Sequence, residues 1–368
     1  MISLNQGYKQ IMALLVIFLL ISISTTGVIG TQENLNNENI GRITTYKDGC
    51  CEGYTLLNIL PSKRNFKAQA LLIDMNGNEI NQWFCIPFPA KILPGGSIIA
   101  GNLFRDPDEV KQLVQYSWNG TVEWEFSDWD DAGTNQMMAR QHHDFQREGN
   151  PVGYYAPGQD FIINGKTLVL AHKNIRNKSI SWRKLVDDVI YEVDWNGDLT
   201  GFKWIASEHF DEMVFNDDEK RGIRINPGFY FSGDWLHTNS ISELGENIWY
   251  DQGDERFHPD NIILDCRNAN FIAIINRTNG SIVWKIGPDY SGESNNNNIG
   301  QIIGQHHAHM IPKGLPGEGN ILVFDNGGWS GYGSNLLPQY IRYYFWYSCY
   351  FKNVKFIDQC VYFFSFTK

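Results

Sequence analysis

The chain has 368 residues, enough for one large domain or two ordinary ones, and its 42% hydrophobic and 19% charged content lets it bury a core and excludes a disordered chain. A formal net charge of −11 argues against a nucleic-acid partner, whose phosphates need a basic surface. With 12 Trp, 35 Gly and 14% aromatics, the composition favours a turn-rich β protein over a helical one.

Residues 1–30 stand apart. An apolar run at 11–21 follows Lys9 and the amino terminus, and a small-residue stretch follows it up to Gly30. That order is the one of an export signal. The run is shorter than the roughly 20 residues of a membrane span, and an uncleaved anchor, tethering the chain to a membrane through residues 11–21, is the other reading. Either places the protein outside the cytoplasm: periplasmic, extracellular or anchored and facing outward. There the six cysteines, Cys50, Cys51, Cys85, Cys266, Cys349 and Cys360, meet an oxidising compartment. None has CxxC spacing, and a disulfide from the Cys50-Cys51 pair has no partner that sequence can name. Asn119, Asn177, Asn276 and Asn279 sit in glycosylation sequons, which carry glycan only in a host that glycosylates.

Residues 31–66 form a polar, Asn-rich N-terminal segment. From residue 67 a unit recurs. Residues 70–83 read as a strand, an Asn76-Gly77 turn and a second strand ending in Trp83. Asn-Gly between apolar runs is the strongest short-range hairpin signal. The unit returns with Asn119-Gly120 before Trp124, Asn196-Gly197 before Trp204, and Asn279-Gly280 before Trp284. Apolar strands at 97–100, 167–171 and 262–266 precede the later hairpins, and 320–324 reads as the start of a fifth unit. A small sheet that cannot bury its own faces, repeated along a chain, predicts an all-β fold of the β-propeller type over residues 67–333. A two-sheet sandwich with coincidental turns is the alternative.

The spacing of the units leaves insertions at 128–160 and 205–240, and long insertions in a compact domain are usually functional. Past Gly333 the pattern stops. Residues 334–368 are an aromatic tail whose stretch from Tyr340 onward has no Gly and no turn signal, a composition prone to aggregate if exposed.

Four separated places carry candidate chemistry: Gln141-His142-His143-Asp144-Phe145; Asp234-Trp235-Leu236-His237-Thr238-Asn239-Ser240; Arg267 after Asp265-Cys266; and Gln305-His306-His307-Ala308-His309. The last is read as a loop leading into the buried strand at 320–324. Each place adjoins a strand of a different unit, and the inner edges of propeller blades converge on the axis. Taken singly, a histidine beside a strand is more often hydrogen-bonded structure than catalyst, and Asp144 and Asp234 read equally well as turn formers. Jointly they form a donor-rich set that suits an anionic tetrahedral group, since arginine presents a rigid fork of donors.

In this order and from about residue 55 to 333, the four motifs, with Asn320-Ile-Leu-Val-Phe-Asp-Asn-Gly327 behind the last, resemble the arylsulfotransferase family. The resemblance implies an exported six-bladed propeller that moves a sulfuryl group from an aryl sulfate to a phenolic acceptor, with no cofactor, through a sulfohistidine. It places the nucleophile on His306 and the sulfate-binding and acid/base roles on His143, His237 and Arg267. Around them it implies substrate-side roles for His142, Asn239 and His307, with the roles of His307 and His306 inseparable by sequence. Small phenols and aryl sulfates are the implied partners. The departure is the tail, which stands where family members continue with further blades, so the ring is expected to be incomplete and the chain poorly active. Two other readings compete: a non-catalytic or decayed propeller used as a binding module, and a metal site built from His142, His143, His306, His307 and His309, imidazole being a common ligand.

Overall fold

The computed structural model describes residues 53–60, 68–105, 109–150, 162–228, 231–288, 302 and 304–324. The leader, the tail at 334–368 and the cysteines at 50, 51, 349 and 360 lie outside these described residues; Cys85 and Cys266 are buried free thiols. The strands run as successive antiparallel meanders. The first is β1 (Thr55–Ile59), β2 (Gln69–Ile73) and β3 (Glu79–Trp83). The second is β4 (Ile86–Ile92), β5 (Ile98–Arg105), β6 (Glu109–Tyr116) and β7 (Val122–Phe126). The third is β8 (Gln141–Arg147), β9 (Thr167–Ile175), β10 (Leu185–Val193) and β11 (Leu199–Ile205). The fourth is β12 (Thr238–Glu243), β13 (Ile262–Cys266), β14 (Phe271–Ile275) and β15 (Ile282–Ile286), and β16 (His306–Met310) pairs with β17 (Ile321–Phe324).

The first strand of each meander packs beside the first strand of the next: β1 by β4, β4 by β8, β8 by β12, β12 by β16. This is the inner-strand succession of a β-propeller, and among the described residues no sheet closes on itself. A single pairing, Val110 with Gln141, joins the second and third meanders into one sheet. The insertion at 205–240 holds a 3₁₀ segment at Ala206–Met213 and a helix, α1 (Asp217–Ile225). Asn216 and Glu219 start α1 with a reciprocal capping box. Among the described residues no helix is long and apolar enough to cross a membrane.

The recurring Trp has a physical reason. It reaches from the outer strand of one blade to the Asn-Gly turn of the next. Trp83 Nε1 donates to Ser117 O and the ring meets Trp118 edge-on at 5.7 Å. Trp124 stacks on Trp195 at 6.3 Å, with the Arg147 guanidinium over both rings. Trp204 Nε1 donates to Gly280 O at 3.0 Å. Each turn is thus gripped by its neighbour, which ties local hairpin chemistry to blade-on-blade packing. Trp204→Phe keeps most of that packing and removes the hydrogen bond to Gly280. It is expected to cost about 1–2 kcal/mol of stability, read from denaturant midpoints at unchanged m.

The inner strands carry a second device. His143, His237 and His307 all adopt left-handed backbone, with φ of 52°, 52° and 55°. Register shifts fall on β8, β12 and β16 at or just after these residues. A bulge of this kind frees an N–H from the ladder, and after His237 and His307 a buried carboxylate of the preceding blade accepts it. Asp188 Oδ2 takes the Thr238 N–H at 3.0 Å, and Asp265 Oδ2 takes the Ala308 N–H at 2.7 Å. Asp144 Oδ2 accepts the Ile241 N–H at 2.9 Å, while its Oδ1 pairs with Lys91. Asp144 is therefore a blade-to-blade tie and not a turn former. The stretch 304–309, expected as a loop, is a bulged strand from His306 onward, and the 128–160 insertion contains inner strand β8.

Candidate active site

Three blades bring the candidate residues to one end of the inner strands. His143 lies near the start of β8, His237 one residue before β12, and His306 opens β16. The His143 and His237 rings meet edge to face at 4.5 Å, and Phe88 of β4 packs against His143 at 4.8 Å. Arg267 sits on the β13–β14 turn. Its N–H donates to His237 O, Asn268 N–H donates to Leu236 O, and the Asn268 amide donates to Asp234 O. The turn is thereby pinned to the segment that carries His237.

His306 is locked onto the same turn. The Gln305 amide, fully buried, donates to the carbonyls of Cys266 and Phe271 that bracket the turn, and the Asn239 amide donates to Gln305 O at 2.9 Å. Asn239 therefore holds the strand that carries His306. The structure separates the neighbours that sequence could not. Arg267 and His237 both press on the charge of His306, whereas His307 answers to Lys91 and its ring packs on His309 at 4.7 Å. His142 is also drawn away. Its ring is buried behind His143, stacked on His172 at 3.6 Å. The set His142, His143, His306, His307 and His309 does not gather at one point. Among the described residues the group with ligand spacing is His142, His172 and Asp188.

The electrostatics assign protons. Burial pulls His306 down to about 4, helped by Arg267 and His237 and opposed by its bond to Gly304. It is neutral at pH 7. Its Nδ1 lies 3.0 Å from Gly304 O, a carbonyl that only accepts, so Nδ1 carries the proton and Nε2 the lone pair. His237 goes the other way. Burial disfavours its charge, but Asp234, 2.5 Å from Nδ1, outweighs that and raises the pKa above 6.5. Asp234 itself is buried, which works against its charge, yet His237 holds it well below the usual carboxylate range. Burial and the neighbouring His237 push His143 far down. The end of the inner strands thus holds a neutral imidazole, an imidazole whose charged form Asp234 favours, and a guanidinium. At the other ends of β8 and β12 a separate cavity is lined by Gln146, Glu148, Lys166, Glu192, Glu243 and Arg277. Its excess of carboxylates repels a sulfate ester.

Sequence reasoning named Gln305 and Asp265 within their motifs without giving them a role, and missed Glu109, His172 and Asp188 as parts of this end of the molecule. A signal existed for the last: Asp187-Asp188 places two carboxylates within β10, a strand buried at every position but Val186.

A propeller-class protein with histidines and an arginine gathered at one end of its inner strands is what the fold and geometry define. A sequence model of the family described as Arylsulfotransferase (ASST) matches residues 158–349, more than half of the chain, including His237, Arg267 and His306 and beginning after His143. The chain belongs to the arylsulfotransferase family, and aryl sulfotransfer is the general activity that membership supports. No curated protein matches the sequence. Among solved structures the chain is similar to a protein of unknown function from Bacteroides caccae, at 12% identity and a TM-score of 0.36 over 76% of this chain and 72% of that one. It is also similar to hydrazine synthase of Kuenenia stuttgartiensis, at 8% identity and a TM-score of 0.37 over 72% and 70% of the two chains.

Proposed function

We propose that the chain transfers a sulfuryl group from an aryl sulfate to a phenol through a sulfohistidine on His306. The observation that carries this is the neutral, Nδ1-protonated His306 beside Arg267 and the charged His237–Asp234 pair. The Nε2 lone pair attacks sulfur as the S–O bond to the aryl group breaks, and the bonding pair leaves on the aryl oxygen. His237 gives that oxygen its proton. Arg267 faces the charge spread over the sulfuryl oxygens. In the second half the acceptor phenol returns a proton to His237, its oxygen attacks sulfur, and the N–S pair goes back to Nε2. Phe88, against His143, offers a ring face for the aryl group. Residues 1–30 read as an export leader, which would put this reaction outside the cytoplasm.

The test is double-reactant kinetics with a chromogenic aryl sulfate and a phenol, together with peptide mass spectrometry after donor alone. Parallel ping-pong lines and a sulfuryl adduct on the His306 peptide are expected. Saturable donor binding without turnover or adduct would favour the non-catalytic binding module.

The pH dependence follows from the same assignments. The rate should rise as pH climbs through about 4, where His306 loses its proton, and fall on the alkaline side once His237 loses its own. Asp234→Asn removes the charge that raises His237. The alkaline limb is then expected to move to lower pH while the acid limb holds, as read from log kcat against pH.

A further inference from the structure

We infer that the cavity at the far ends of β8 and β12 binds a small zwitterion, a molecule of the α-amino-acid class that carries an ammonium beside a carboxylate. The inference does not rest on sulfotransfer. The cavity measures about 280 Å³. That is near the lower limit of about 300 Å³ for small-molecule pockets, so its occupant is small.

Hydrogen-bond accounting shows what the cavity lacks. It lies at the seam between the third and fourth blades. Arg277, beyond β14, donates through Nη2 to Glu192 of β10, and its guanidinium lies 3.7 Å from the centre of the Phe202 ring. Thr200 Oγ1 donates to the other Glu192 oxygen at 2.7 Å, so Glu192 is satisfied. Gln146 Oε1 accepts the Glu243 N–H at 2.7 Å, which settles which end of that amide is nitrogen. Gln146 is 3% exposed and its Nε2 donates to no group among the described residues. Arg277 Nη1 is likewise buried without a partner. These donors call for an oxyanion. The Glu243 carboxyl has the opposite need. It accepts no hydrogen bond and forms no ion pair among the described residues. Glu148 gives one oxygen to the Lys166 N–H.

Four carboxylates line the cavity, Glu148, Glu192, Glu243 and Asp260, against two cations, Lys166 and Arg277. Burial pushes Glu243 up to about 7; Arg277 pulls it back, and Glu192, Asp260 and Glu148 push it further. A carboxyl so placed favours an incoming positive charge. A bare divalent cation does not fit, because among the described residues no three of these carboxylates bring ligand atoms within 4.8 Å of one another. A sulfate or phosphate meets the excess of negative charge, and a neutral polyol leaves Glu243 without a counter-charge. A zwitterion answers both needs. Its carboxylate accepts from Gln146 Nε2 and Arg277 Nη1, and its ammonium donates to Glu243 and Glu148. Such a molecule touches both blades and holds them together.

The test titrates the full chain by calorimetry with glycine and L-serine, and with acetate, ethylammonium, glucose and calcium chloride as partial mimics. One of the amino acids is expected to saturate a single site with a Kd below about 1 mM and to raise the melting temperature. Each mimic should bind at least about tenfold more weakly, having lost a charged hydrogen-bonding group. Affinity should climb as pH rises through about 7, where Glu243 ionises. Glu243→Gln should weaken binding at least about thirtyfold and remove that pH step. Gln146→Glu keeps an acceptor for the Glu243 N–H, replaces the free donor by an oxygen, and should also weaken binding. His306→Ala, at the other end of the inner strands, should bind as the wild type does. If the cavity variants do not fold, the ranking of the probes on the wild type decides. A folded wild type that binds neither amino acid, or binds any mimic equally well, overturns the inference, as does an affinity unchanged in Glu243→Gln.

Discussion

His306→Ala is expected to lower the turnover of aryl sulfate by a factor on the order of 10⁴ or more, the scale seen when a covalent nucleophile is removed. The sulfuryl adduct should vanish with it. The side chain is only partly buried, and the backbone of its strand is held by Gln305 and Asn239, so the fold should survive, with near-native far-UV circular dichroism. His307→Ala is the matched control. Burial and Lys91 hold His307 down to about 3 and Arg267 is not among the charges acting on it, so a loss of no more than about tenfold is expected, short of the 10²-fold that a proton-transferring group contributes. If His307→Ala proves as damaging as His306→Ala while the adduct stays on His306, the separation of the two roles drawn from the geometry is wrong.

Arg267→Ala should cost about 10²–10³ in kcat, the range for removing one preorganised donor at developing charge. Lysine in its place returns the charge without the planar fork and should recover only part of the loss. A merely structural arginine would produce the same deficit, so the pH profile is the deciding readout. Arg267 lowers the pKa of both His306 and His237. Removing it lets His306 rise from about 4 toward its ordinary 6.5, and the acid limb of the rate profile should move to higher pH. The alkaline limb should move the same way. A uniform fall in kcat with both limbs in place would return Arg267 to a packing role.

Much of the fold was legible because it is local. An Asn-Gly turn sets its own hairpin, and a Trp a few residues on marks the outer strand, so the repeats around Trp83, Trp124, Trp204 and Trp284 announced blades before any contact was known. Of the residues expected to meet at the site, His143 and His237 are in ring contact, and Arg267 and His237 act on the charge of His306. The inner strands were not legible. β4 carries Pro87 and Pro89, and β8, β12 and β16 open on polar, bulged segments with a left-handed histidine, which breaks the alternation that marks a strand. Their carboxylate ties run between residues far apart in sequence, as from Asp188 to Thr238 and from Asp265 to Ala308. The sequence by itself determined the class of fold, the order of the blades and which histidines were worth watching. Only the tertiary structure decided that Arg267 acts on His306 and not on His307, that Asp234 favours the charge of His237, and that His142 packs against His172 and Asp188. Those outcomes depend on which face a bulge presents and on what the next blade buries against it, and neither is encoded within reach of a turn.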